Sequence, residues 1–236
     1  MSYHYSPKIV TNGLIYYLDF ANTESYAGSG TSCSDLTGIN SLGTLTNGPT
    51  FSSSNLGSIG FDGVDDYITT PSNPILNPTS SITVCAWSRY NGTYGGYYAP
   101  IVFKRNQGVS YFEQFQLAYS GGGNVQIAIG NSSINTNESA TTTGSYTNQL
   151  NYAVGVVDIP GGTLKIYVDG VLNNTHNLVS ITSMETSNNP LIVGGNAESF
   201  AGYMGGNIFN VKIYNRALAA TEISQNFLAM KKRFGL

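Results

Sequence analysis

Along most of this chain apolar side chains return at every second position, and each run stops at glycine, asparagine, serine or aspartate. Successive side chains leave a strand on opposite faces, so this alternation predicts strands with one face turned to a core. Leu14, Tyr16, Leu18 and Phe20, alternating with Ile15, Tyr17 and Asp19, predict the first strand. Ser58 to Phe61 and Asp66 to Thr70 flank the turn Asp62-Gly63-Val64-Asp65. Ser81 to Arg89 predicts a strong strand with Trp87 buried; Pro100 to Lys104, Phe112 to Tyr119 and Val125 to Gly130 follow. The last two are joined through Ser120-Gly121-Gly122-Gly123-Asn124, a hairpin signal. Tyr152 to Asp158 and Thr163 to Val168 predict another hairpin, across Ile159-Pro160-Gly161-Gly162. Asp169-Gly170 then turns the chain into Val171-Leu172. Leu191 to Gly194 and Gly206 to Tyr214 complete roughly a dozen strands. Ile223, Phe227 and Met230 recur at helical spacing and predict a helix from near Ala219. The expectation is an all-β, two-sheet antiparallel sandwich or jelly roll with one short C-terminal helix.

At 236 residues the chain can fill one core without disulfides or metals. A net charge of −3 argues against nucleic acid as the main partner, because phosphate neutralisation needs a basic face. The one basic cluster, Lys231-Lys232-Arg233, reads as a solvated tail. No apolar stretch approaches the ~20 residues of a membrane span. The start, Met1 to Lys8, lacks the apolar segment of a signal peptide. Cys33 and Cys85 are too few for a disulfide scaffold. Cys85 reads as a buried hydrophobe, and a bridge to Cys33 stays open.

Residues Ile9 to Phe227 resemble the concanavalin A-like lectin/glucanase superfamily in its laminin-G-like (LamG) jelly-roll branch. The likeness runs through Ile9-Val10-Thr11-Asn12-Gly13-Leu14, Leu18-Asp19, Ser34-Asp35-Leu36-Thr37-Gly38-Ile39-Asn40 and Phe61-Asp62-Gly63-Val64-Asp65-Asp66-Tyr67-Ile68. It continues in Leu164-Lys165-Ile166-Tyr167-Val168-Asp169-Gly170 and Val211-Lys212-Ile213-Tyr214-Asn215-Arg216-Ala217-Leu218. The resemblance implies a domain over 9–228, with an N-terminal arm over 1–8 and a basic tail over 229–236. Arg216 is expected to fix the chain between the last strand and the helix by charge-assisted bonds. With this jelly roll, no signal peptide and Lys231-Lys232-Arg233-Phe234-Gly235-Leu236 after the helix, the chain by overall likeness resembles tailed-phage virion proteins, which implies a place on the phage particle and capsid or other virion proteins as partners.

Glycosidases of that superfamily set two carboxylates along one strand, because acid and nucleophile must flank one bond ~5 Å apart. The six glutamates, Glu24, Glu113, Glu138, Glu185, Glu198 and Glu222, give no predicted strand such a pair. The densest acidic group, Asp62, Asp65 and Asp66, falls in a turn. His4 and His176 are too few for a zinc site and read as exposed polar residues. A non-enzyme is expected; two carboxyl groups meeting in a sugar-sized groove would reverse that reading.

The resemblance implies a structural Ca²⁺ at Asp19, Asp35, Asn40, Asp62 and Asp66. Turn chemistry is the competing account for Asp62, and an Asx-turn for Asp35. Tyr90 to Tyr98 reads as a glycine-rich loop with sugar-binding chemistry, in which Asn91, Tyr94, Tyr97 and Tyr98 are the glycan-binding candidates. Packing of those rings at a sheet edge or in a homo-oligomer contact is the alternative. Gly130 to Tyr146 reads as a long exposed loop forming one wall of a site. Two functions remain: a virion surface protein, as capsid decoration or fibre, that adheres to glycans, and a free carbohydrate-binding lectin.

Overall fold

The computed structural model describes residues 7–54, 56–105, 113–195 and 202–236. His4 and most of the expected N-terminal arm lie outside the described residues, as does Phe112, the expected start of one strand.

Sixteen strands are described: β1 (Leu14–Asp19), β2 (Ser32–Cys33), β3 (Gly43–Thr46), β4 (Thr50–Ser52), β5 (Ser58–Asp62), β6 (Tyr67–Thr70), β7 (Ser81–Tyr94) and β8 (Tyr98–Arg105), then β9 (Glu113–Ser120), β10 (Val125–Asn131), β11 (Thr136–Thr141), β12 (Leu150–Asp158), β13 (Thr163–Val168), β14 (Val171–Asn177), β15 (Leu191–Val193) and β16 (Met204–Tyr214). The helix α1 (Ala220–Met230) follows. The first sheet runs β14-β13-β12-β7-β16-β5-β4, with β1 also on β16; the second runs β11-β10-β9-β8-β15-β6-β3-β2. All registered pairs are antiparallel. This is the expected two-sheet jelly-roll sandwich with one short C-terminal helix.

The turns follow from their residues. Asp169 and Gly170 both hold positive φ, 51° and 82°, as a two-residue hairpin requires. Between the sheets alternate residues interlock: Ile82, Val84, Ala86 and Tyr90 of β7 face Phe115, Leu117 and Tyr119 of β9 within one core. Tyr90 is fully buried and stacks on Tyr119 at 4.9 Å.

The opposite face of β7 carries Cys85 and Trp87, which join a second apolar cluster under α1. Trp87 is fully buried, as expected, and stacks on Tyr152, Phe227 and Phe234. The molecule is therefore three layers, helix on sheet on sheet. Arg216 makes the expected charge-assisted bonds, reaching both carboxylate oxygens of Glu222 at 2.7 and 2.6 Å. Cys33 and Cys85 are both free thiols and both buried.

Four sequence expectations are corrected. The Tyr90–Tyr98 segment is not a loop: β7 continues to Tyr94 and β8 starts at Tyr98, because β16 pairs with β7 beyond Arg89 across a bulge. Gly130 to Tyr146 is not an open loop either. It holds β11, a polar edge strand that pairs with β10 over six positions and turns Glu138 and Ala140 inward. The basic tail is not solvated: Lys231–Phe234 forms a 3-10 turn, Phe234 is buried, and Arg233 pairs with Asp19 at 2.7 Å. His176 is only partly exposed, and its Nε2 lies 2.7 Å from Glu138.

Candidate functional site

Where β5 ends, Asp62 to Asp66 turn the chain back into β6. Asp62 Oδ1 accepts the N–H groups of Val64 and Asp65 at 2.8 and 3.3 Å, which is Asx-turn chemistry. Asp66 Oδ2 accepts the Asp62 N–H at 3.0 Å, and Gly63 holds φ at 81°. The turn packs closely on the hairpin: a Cβ on Gly63 would sit 2.8 Å from Thr93, and one on Gly95 would sit 3.1 Å from the Gly63 carbonyl. Only glycine permits that approach.

Beside the turn lies a groove of ≈ 380 Å³. Its floor is the outer face of the first sheet, where Thr50, Gly60 and Asn207 are register neighbours on β4, β5 and β16. Its walls include Asn47, Asp62, Asp66 and Asn91. Among the described residues that line it there is no lysine, arginine or histidine; Arg89 of β7 is the register neighbour of Asn207. A Cβ on Gly60 would meet Thr50 Oγ1 at 3.0 Å and Asn207 Nδ2 at 3.4 Å, so glycine keeps this floor open. Amide and carboxylate groups around a glycine floor can both donate to and accept from a polyhydroxylated ligand.

The expected site residues fall in different places. Among the glycan candidates only Asn91 lines the groove, and its Oδ1 accepts the Thr93 N–H at 2.8 Å. Tyr94 leans over the β9–β10 turn, where a Cβ on Gly121 would lie 2.3 Å from its hydroxyl. Tyr97 stands at the hairpin tip, 75% exposed, and Tyr98 opens β8 half-buried. Asn47, Thr50, Gly60 and Asn207 are site residues that sequence reasoning missed. Their strands are short or interrupted by glycine, and a cross-strand row leaves no local spacing to read.

The five expected calcium ligands do not converge. Asp62 and Asp66, with Asp65, bring one carboxylate oxygen each within 4.8 Å of one another. Asp19 is paired with Arg233 and accepts from Tyr17 Oη at 3.0 Å. Asp35 accepts backbone N–H groups of Tyr17, Thr37 and Asn40 together with the side chains of Thr37 and Asn40. That carboxylate is spent on turn-building and does not fit a metal. Asp62, Asp65 and Asp66 could supply part of the six to eight oxygens calcium takes, the rest coming from backbone carbonyls and water.

Burial pushes the Asp66 carboxyl above the ordinary carboxylate range; the Asp62 N–H pulls it back, and the charges of Asp62 and Asp65 push it further up. The carboxyl groups of the 62–66 turn, grouped already in the sequence, thus meet beside the groove. Their arrangement is one-sided, since all leave the same five-residue turn.

Residues 62–224 match the Laminin_G_3 model of the concanavalin A-like lectin/glucanases superfamily. The chain belongs to that family. No curated protein sequence matches it. Among solved structures it is similar to the botulinum neurotoxin serotype G binding domain, with TM-score 0.68 and 15% identity, over 91% of this chain and 50% of that one. It is also similar to Trypanosoma rangeli sialidase, with TM-score 0.65 and 15% identity, over 95% of this chain and 34% of that one. Domain 4 of AbnA, an extracellular arabinanase from Geobacillus stearothermophilus, was solved in complex with arabinotriose. It matches with TM-score 0.65 and 18% identity, over 92% of this chain and 98% of that domain. The chain spans half of the toxin binding domain's length and a third of the sialidase's. At these identities the likeness shows a shared fold.

Proposed function

We propose that the chain is a non-catalytic, carbohydrate-binding jelly roll that takes a saccharide in the groove between the 62–66 turn and the outer face of the first sheet. The observation that carries this reading is the groove itself, with Asn47, Asn91, Asn207, Asp62 and Asp66 around glycine backbone. The match to nearly the whole of an arabinanase domain solved with arabinotriose supports it.

Binding to a glycan array tests the reading. Asn207→Ala together with Asn91→Ala removes two amides from the groove and is expected to weaken the bound glycan at least tenfold, since unpaired hydroxyl contacts cost about 1–3 kcal/mol. Silence across a broad array, or binding unaffected by the double substitution, contradicts it.

Glycoside hydrolysis is the second reading, favoured by the Asp62, Asp65 and Asp66 carboxylates within 4.8 Å. A retaining pair must flank the scissile bond from two sides at ~5 Å. These three stand on one side, and Asp62 Oδ1 and Asp66 Oδ2 already hold the turn. Binding without cleavage is the better account.

The finer placement we propose is the surface of a tailed-phage particle, as capsid decoration or fibre; the overall likeness of this jelly-roll chain to tailed-phage virion proteins supports it. Co-purification with assembled particles tests that placement. A protein found only free in the lysate would favour a free lectin.

A further inference from the structure

We infer that the pocket beyond the end of β6, at Ser72, binds a small organic carboxylate, with the buried ammonium of Lys104 as its counter-ion. This site lies apart from the groove: β6 runs from the 62–66 turn toward Ser72, so the two stand at its opposite ends.

The first observation is a buried cation without a charged partner. Lys104 stands near the end of β8, with Leu191 and Phe115 as register neighbours, and is 0% exposed. Its Nζ donates to the Asn189 carbonyl at 2.6 Å and to Ser72 Oγ at 3.3 Å. Both acceptors are neutral, and among the described residues no carboxylate pairs with it. Burial pushes the amine down to about 8, so it still carries its charge at neutral pH. A desolvated charge held only by neutral groups is costly, and an anion placed beside it offsets that cost.

A second and independent observation is the wall of the pocket. It encloses ≈ 550 Å³ and is lined by Ser72, Pro74, Asn77, Thr186 and Asn188, with no acidic side chain among them. Asn77 Oδ1 accepts the Ser187 N–H at 3.0 Å, which orients the amide and leaves its NH2 group to donate. Thr186 and Asn188 are exposed, with a hydroxyl and an amide to offer. Glu185, next in sequence to Thr186, is held elsewhere, with both oxygens on the Ser132 hydroxyl. Ser72 joins pocket to cation: it lines the wall, accepts from Lys104 and donates to the Ser187 carbonyl at 3.2 Å. A carboxylate against this wall meets N–H and O–H donors directly. It feels the ammonium across one hydroxyl group, where solvent screens the charge weakly. One ammonium balances one negative charge, which favours a carboxylate over a dianionic phosphate. The volume suits an acid of monosaccharide size.

Titration of the isotope-labelled whole chain, followed through the NMR signals of its side-chain amides, tests this with sodium galacturonate, galactose and inorganic phosphate as probes. Galacturonate is expected to move the Asn77 and Asn188 amides and to bind about tenfold tighter than galactose. Lys104→Met keeps the buried stem and removes the charge. It should fold with an unchanged or higher denaturant midpoint and bind galacturonate about tenfold more weakly. Asn188→Ala, at an exposed position, should weaken binding about threefold at unchanged stability, and serves as the test if Lys104→Met does not fold. Lys232→Met makes the same charge change at an exposed position outside the pocket and should leave binding intact. So should Asn91→Ala with Asn207→Ala, which separates this site from the groove.

Galactose binding as tightly as galacturonate overturns the inference, as does phosphate binding tighter than galacturonate. A folded Lys104→Met that binds galacturonate like wild type sinks it too. Amide signals that stay still at millimolar galacturonate do the same, whatever the array shows for the groove.

Discussion

Trp87→Ala is expected to lower the unfolding free energy by about 3–5 kcal/mol, read as a shift in the denaturant midpoint at unchanged slope. Trp87 is fully buried on the outer face of β7, with Phe234 stacked at 4.2 Å, Tyr152 at 5.4 Å and Phe227 at 5.6 Å. Truncation removes the ring that joins the sheet, α1 and the last turn of the chain, and leaves a cavity that three separate elements cannot all close. Phe234→Ala is the companion test. A solvated tail would make it nearly neutral, within about 0.5 kcal/mol. Its burial against Trp87 and its edge-on contact with Phe209 at 5.3 Å predict about 2–4 kcal/mol instead. A neutral result would detach the C-terminal turn from the fold.

Glu138→Gln is expected to cost about 2–3 kcal/mol at neutral pH, and the cost should disappear in acid. Glu138 sits on the edge strand β11 and receives the N–H groups of Val179, Ser180 and Ile181 and the ring of His176, all at 2.7–2.9 Å. Burial pushes its carboxyl up, but the His176 bond and the three N–H groups outweigh that and hold it at about 2, against an ordinary 4.5. A folded value below the unfolded one stabilises the protein fully above about 4.5. That contribution is lost as pH falls through the window down to about 2. The difference between wild type and variant should therefore be constant above pH 5 and shrink below it. A difference that persists unchanged at pH 2 would mean that the contact is not ionic. This anchor also closes the sandwich edge, where Asn174 of β14 donates to the Thr141 carbonyl of β11 at 2.8 Å. Side chains thus cover two strand edges that would otherwise offer open backbone.

Much of this architecture was legible in the chain. Alternation located most of the strands between Leu14 and Tyr214, and helical spacing located α1, because burial on one face writes a period into the sequence. The short strands β2, β3 and β4, of two to four residues, are too brief to show a period. Three further pieces were not legible, each for a physical reason. The outer end of β7 passes through Asn91-Gly92-Thr93, which has no apolar alternation; it is a strand because β16 supplies its hydrogen bonds from far along the chain. The edge strand β11 buries only two residues, one of them Glu138, so it shows little hydrophobic signal. The last turn read as a charge run, yet Phe234 carries its contact and Arg233 finds Asp19 214 residues away.

The site divides in the same manner. Asp62, Asp65 and Asp66 meet because they are neighbours in sequence, and that grouping was readable. Asp19 and Asp35 were separated from it by partners that no local pattern announces: the guanidinium of Arg233 and the backbone N–H of Tyr17. The tyrosine-rich hairpin kept only Asn91 in the groove, because the strand pairing that extends β7 turns its rings elsewhere.

This groove either holds a sugar or breaks one. Proton NMR of an array-selected oligosaccharide incubated with the protein follows both events in one tube: saturation transfer reports contact, and new anomeric signals report cleavage. Saturation transfer that Asn91→Ala with Asn207→Ala abolishes, and an anomeric region unchanged after a day, is the predicted result. New reducing-end signals that disappear with Asp66→Asn would show that the turn carboxylates do chemistry, and would contradict it.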